Sequence, residues 1–125
     1  MKVLIKLGGT LLDAPASRAA LAEQIAALPA QGVQAVVVHG GGKQMTRFLA
    51  ERGVESRFVN GLRVTSPDVI DAVLKVFTGS VNKELTASLI AAGALAVGIS
   101  GIDAALAEAR QLSEDLGAVG NIVKT

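Results

Sequence analysis

A short run of β-branched residues and leucines, Lys2 to Leu7, leads straight into Gly8-Gly9, and Ala35 to His39 repeats the arrangement ahead of Gly40-Gly41-Gly42. Each reads as a strand closed by glycine. Between them Leu21, Ile25 and Leu28 fall at i, i+4 and i+7, the spacing of one helix face, with Ser17 as candidate N-cap and Gly32 just past the end. Strand, helix and strand make one βαβ unit, which crosses over right-handed into a parallel sheet.

The pattern continues with a helix from about Gln44 to Arg52 that buries Met45, Phe48 and Leu49 and stops at Gly53. Glu55 to Thr65 has no period and reads as irregular. Ser66-Pro67-Asp68 then sets a capping residue ahead of a proline suited to the first helical position, and Val69, Val73 and Phe77 follow on one face. Gly79 is expected to interrupt this helix. A further stripe, Leu85, Leu89 and Ala92, ends at Gly93, and Ala94 to Ile99 reads as another strand. The Ala-rich stretch Asp103 to Leu112 favours helix by propensity yet also alternates as a strand does, so both readings stand. Gly120 to Thr125 reads as a strand.

Half of the 125 residues are hydrophobic, enough to bury roughly two-thirds of the unfolded surface in one core, so residues 1–125 are expected to form a single domain. Charged residues make up 18%, below the average of about 25%, which suits a buried parallel sheet flanked by helices. A net charge of +1 without any run of one sign argues against nucleic acid or an anionic membrane as partner. A small molecule fits better. There is no cysteine for a disulfide or thiolate metal site. The first strand starts almost at Met1, leaving no room for a leader, and no apolar run reaches the roughly 18 residues of a membrane helix, so a cytoplasmic location is expected.

Ligands of open parallel sheets bind beyond the carboxyl ends of the strands, where both glycine clusters fall. Glycines there let backbone N–H groups approach an anion; alternatively they only make tight turns. Gly40 to Lys43 is not a phosphate loop of the GxxxxGK[ST] type, because Gln44 follows the lysine and Val37 stands where the first glycine belongs. Lys6 ends an apolar strand, placed either to neutralise phosphoryl oxygens or simply to reach water. Arg63 lies between Gly61 and a helix start, where its guanidinium could grip a carboxylate or merely be solvated. His39, the sole histidine, reads as an imidazole orienting the glycine loop, Asn82 and Lys83 as a cap and a solvated side chain, and Asp103 as a turn residue.

Taken together, Lys6-Leu7-Gly8-Gly9, Val38-His39-Gly40-Gly41-Gly42, Asn60-Gly61-Leu62-Arg63-Val64-Thr65 and Gly79-Ser80-Val81-Asn82-Lys83 resemble the N-acetylglutamate kinases, a branch of the amino acid kinases, in order and spacing. Gly98-Ile99-Ser100-Gly101-Ile102-Asp103 and Leu116-Gly117-Ala118-Val119-Gly120 fit the same pattern, so the resemblance runs along the whole chain. It implies a three-layer αβα sandwich with a mainly parallel open sheet, and transfer of the γ-phosphoryl of ATP, with Mg2+, to the side-chain carboxylate of N-acetyl-L-glutamate in arginine biosynthesis. It assigns Lys6 to transition-state charge, Gly8 and Gly9 to the phosphates, Gly41 and Gly42 to substrate, and Arg63 to the substrate's α-carboxylate. A carboxylate nucleophile, with a pKa of about 4.3, needs no strong base at pH 7. The family's nucleotide lobe has no counterpart here, so this chain is expected to be the substrate half and to transfer phosphate negligibly alone. A homodimer through the helices between Asp68 and Ala92 is also implied. Arginine-inhibited members carry an extra N-terminal helix that promotes hexamers, and with Met1 this close to the first strand, feedback inhibition by that route is not expected. A kinase of another acidic amino-acid derivative, of aminoadipate type, glutamate 5-kinase, and a non-catalytic binding module are the alternatives.

Overall fold

Strand β1 (Lys2–Leu7) pairs in parallel with β2 (Gln34–His39), setting Ile5 beside Val37 and Leu7 beside His39. The computed structural model describes all residues from Met1 to Thr125. The crossover runs through α1 (Gly9–Asp13) and α2 (Pro15–Ala26). Helix α2 starts at Pro15 with Ala14 as cap, earlier than the expected Ser17, because proline's fixed φ is already helical at the first position. Gly32 follows at φ 74°, the left-handed turn that lets the chain reverse into β2. Helix α1 has no forerunner in the sequence periodicity; it forms because Leu12 is almost completely buried.

Beyond β2, α3 (Gly42–Ala50) buries Met45 and Leu49. The segment expected to be irregular contains a hairpin of β3 (Phe58–Val59) and β4 (Leu62–Arg63). Asn60 and Gly61 turn it, both with positive φ, the demand that a two-residue Asn-Gly turn meets. Helix α4 (Pro67–Val73) begins as expected, the Ser66 hydroxyl accepting from the Val69 N–H at 3.4 Å. Ser66→Ala is expected to cost about 1 kcal/mol, read as a lower urea midpoint with unchanged slope.

Gly79 does not break the helix. Leu74–Val81 winds as a π-helix and passes directly into α5 (Asn82–Ala91). An interior glycine costs only about 1 kcal/mol, and here Val76 and Val81 on the same segment are buried in the core. The core joins Leu7 and Leu12 to Ala22, Met45, Leu49, Val69, Ala72, Val76, Val81, Leu85 and Leu89. No helix is long and apolar enough to cross a membrane.

Ala94 to Ile99 follows Gly93 but joins no sheet. It alternates as a strand should, Ala94 and Ala96 packing on the core while Leu95, Val97 and Ile99 face outward. Two of its carbonyls are taken by α5 side chains instead of a neighbouring strand: Lys83 Nζ donates to Gly98 O at 3.0 Å and Asn82 Nδ2 to Ile99 O at 3.5 Å. Asp103 to Leu112 resolves into a short turn and β5 (Glu108–Gln111), which pairs antiparallel with β6 (Gly120–Lys124). The parallel pairing is thus confined to β1 and β2, and the other two pairs are antiparallel. Helices cover one face of β1 and β2; on the opposite face Leu4 is 71% exposed and Val36 62%.

Candidate functional site at the ends of the parallel strands

The parallel pairing brings the two glycine clusters together, since Gly40 N–H donates to Leu7 O at 3.2 Å just past the paired ends. A Cβ on Gly9 would lie 3.4 Å from Gly42 N and 3.5 Å from Gly41 Cα. Gln44 fastens them, its Nε2 donating to Gly9 O at 3.0 Å. In the sequence Gln44 opens a helix and excludes a phosphate loop, and nothing in its spacing signals this bridge.

None of Gly8, Gly9, Gly40, Gly41 or Gly42 has the positive φ that glycine alone favours. Their backbone does not require glycine. Gly41 is held to glycine by crowding and a Cβ on Gly9 would press on the Gln44 side chain at 3.1 Å, whereas a Cβ on Gly8, Gly40 or Gly42 would meet nothing within 4 Å. At those three positions, with neither strain nor neighbours to account for glycine, the open space is where a ligand can approach the backbone. The first amides of α3 lack intrahelical acceptors and lie beside it. At Gly41 a Cβ would sit 2.9 and 3.0 Å from Phe77 ring carbons and 3.2 Å from Val81 Cγ2. Gly41→Ala is therefore expected to cost about 1–3 kcal/mol by overpacking and to displace the loop, measured by urea unfolding alongside ligand titration.

The hairpin carries Arg63 to this loop. Its Nη2 donates to Thr46 Oγ1 at 3.0 Å and, at a long 3.4 Å, to Gly42 O, and its Nη1 donates to Ser56 Oγ. The guanidinium carbon lies 4.6 Å from the Phe58 ring centre. Partial burial lowers its pKa from the usual arginine value, but an arginine stays charged near neutrality. None of the chain's ion pairs includes Arg63, so a cation beside Gly42 has only neutral partners. That arrangement suits an incoming carboxylate.

Lys6 stands apart from this group. The alternation of β1 turns it to the bare face with Leu4, opposite Val38, and it makes no hydrogen bond or ion pair. The residues described therefore gather Gly8, Gly9, Gly41, Gly42 and Arg63, and leave the Lys6 ammonium free at the strand's end.

His39 orients the loop as expected, its Nδ1 lying 3.0 Å from Gly40 O. Asn82 departs from its expected role as a cap: it is buried inside the continuous helix, with Nδ2 3.1 Å from His39 Nε2. Asp103 closes a turn, accepting from Ser100 N at 2.6 Å and Ser100 Oγ at 2.9 Å. The backbone bond from Ser100, then the hydroxyl, hold its carboxyl below the usual carboxylate range. A cavity of about 600 Å³ lies elsewhere, between α4 and the β5–β6 hairpin, and is lined by Thr65, Ile70, Gln111 and Gly117. It contains no residue of the glycine site.

Comparison with known proteins places this geometry. The model of the amino acid kinase family matches residues 1–125. The chain belongs to the amino acid kinase family. Among curated members, it is 69% identical over 122 residues to an acetylglutamate kinase of Solibacter usitatus, covering 98% of this chain and 48% of that protein. It is 46% identical over 129 residues to an acetylglutamate kinase of Frankia alni, covering 98% of this chain and 38% of the other. This amino acid kinase chain thus spans half or less of the length of these relatives. The crystal structure of smu.665 from Streptococcus mutans superposes with a TM-score of 0.83 at 29% identity, over 98% of this chain and 49% of the other. N-acetylglutamate synthase of Neisseria gonorrhoeae, solved with coenzyme A and N-acetyl-glutamate, gives 0.81 at 24% identity over 99% of this chain and 28% of the other, a likeness of fold.

Proposed function

We propose that this chain is the acyl-amino-acid-binding half of an acetylglutamate kinase, a cytoplasmic enzyme of arginine biosynthesis that phosphorylates the side-chain carboxylate of N-acetyl-L-glutamate with ATP. The observation that carries the reading is Arg63 held beside Gly42 without a carboxylate partner. In it, Arg63 grips the substrate's α-carboxylate, Gly41 and Gly42 face the substrate, and Gly8 and Gly9 give close approach to the ATP phosphates. Lys6 neutralises charge that develops on the transferred phosphoryl group. The names of the curated relatives support the substrate.

Magnesium is expected with ATP. No group of three or more His, Asp or Glu side chains here could hold an ion, so the present residues supply no protein cage for it. A second copy is the expected partner, packing along α4 and its π-helical continuation, where Ile70 and Leu74 stand exposed one turn apart.

Calorimetric titration of the chain with N-acetyl-L-glutamate, with free glutamate as control, tests the proposal. Selective binding that disappears in Arg63→Ala is the expected result. A folded chain that binds neither compound would overturn the claim that this half forms the pocket, and equal binding of both would overturn the acyl specificity.

A further inference from the structure

The imidazole of His39 sits between two groups of fixed polarity. On one side is Gly40 O, 3.0 Å from Nδ1, which can only accept; on the other is Asn82 Nδ2, 3.1 Å from Nε2, which can only donate. Ile99 O, 3.5 Å from the Asn82 amide nitrogen, fixes the orientation of that side chain, because the flipped amide would set oxygen against oxygen there. One ring form satisfies both contacts: neutral, with the proton on Nδ1 and the lone pair of Nε2 facing Asn82. A neutral histidine free in water favours the opposite tautomer, so the structure imposes this one.

The other end of the relay also has a built setting. Asn82 is buried where the π-helix passes into α5. A π-helix turns less per residue than an α-helix, so the winding of Leu74–Val81 determines where Asn82 points. The same segment supplies Phe77 and Val81, which press against Gly41. Gly98 gives the amide room, since a Cβ there would collide with Asn82 Oδ1 and lie 2.5 Å from Thr86 Oγ1. The π-helical segment and its first following residue therefore hold the loop twice, by packing on Gly41 and by hydrogen bonding through His39 to Gly40.

We propose that Asn82 is a positioning residue for the loop Gly40–Gly42: it fixes the tautomer of His39, which fixes the carbonyl of Gly40 and so presents Gly41 and Gly42 to the ligand. The last step rests on the substrate reading above; the first two do not. No covalent change is involved.

The chain has a single histidine, so its two ring nitrogens give the only imidazole signals in a long-range proton–nitrogen NMR correlation. In mildly alkaline solution the wild-type chain is expected to carry the proton on Nδ1. In Asn82→Leu the proton should move to Nε2, and the Gly40 amide, which donates to Leu7 O, should exchange with solvent about tenfold faster. Affinity for N-acetyl-L-glutamate should fall about tenfold. A wild-type proton on Nε2 overturns the proposal, and so does unchanged protection of Gly40 in the variant. Should Asn82→Leu fail to fold, Asn82→Ala carries the same comparison, and the wild-type proton position already decides the first step. If the wild-type chain shows the expected tautomer and protection yet does not bind N-acetyl-L-glutamate, the substrate reading fails and the positioning of the loop stands. If it binds and the variant binds equally well with a loosened loop, the link from loop to ligand is overturned.

Discussion

Lys6→Ala in a full-length enzyme is expected to lower turnover by about 10²–10³-fold and to leave the apparent constant for N-acetyl-L-glutamate within about twofold. The expectation follows from its surroundings. Lys6 is the penultimate residue of β1, two residues before Gly8, makes no hydrogen bond or ion pair, and contributes nothing to the core. Removing it should change stability by about 0.5 kcal/mol or less, as for other surface positions, so lost activity cannot be blamed on unfolding. A charge that acts only as the phosphoryl group is in flight appears in kcat and not in substrate binding. A steady-state comparison showing a raised substrate constant at full turnover would remove Lys6 from the chemistry.

Arg63→Ala should show the opposite split, an apparent substrate constant raised about 10- to 100-fold with turnover changed far less. Part of that loss comes from the site itself, because Arg63 also ties the hairpin to α3 through Thr46 and to the preceding segment through Ser56. Arg63→Lys separates the two contributions. Lysine keeps the charge but lacks the planar fork, so it should recover only a small share of the affinity if a carboxylate is gripped at two points. Recovery to within about twofold would mean that charge alone matters and that the two-point grip is wrong.

The βαβ start of the fold was legible because it rests on local signals. Strands closed by glycines, the Leu21 and Ile25 stripe, and Ser66 ahead of Pro67 each act within one or two turns of chain. The departures come from longer range. Gly79 is a helix breaker by propensity, yet burial of Val76 and Val81 keeps the helix going in its wider π form. Ala94 to Ile99 has the alternation of a strand, but alternation records which residues face the core and not whether a neighbouring strand is present to pair. The Asn60-Gly61 hairpin is signalled by those two residues alone, because the flanking strands have only two residues each and show no alternation.

The site divides in the same way. Glycine clusters and Arg63 are visible as residue types in telling places. Gln44 and Asn82 are not, since an amide side chain is equally ordinary on a solvated helix and its partners lie 35 and 43 positions away. The family resemblance supplied the roles, and the contacts around Gly42 explain how Arg63 reaches its place.

The uncovered side of β1 and β2 has a consequence during synthesis. Ribosomes add roughly 5–20 residues per second, so a polypeptide of twice this length that begins with this segment leaves Leu4, Val36 and Val38 wet for roughly 6–25 seconds after residue 125 is made. The outer edges of the two strands also stand without a ladder partner through that interval. Exposed apolar residues beside open strand edges are a template for pairing with another chain, so a nascent chain in this condition is prone to aggregate.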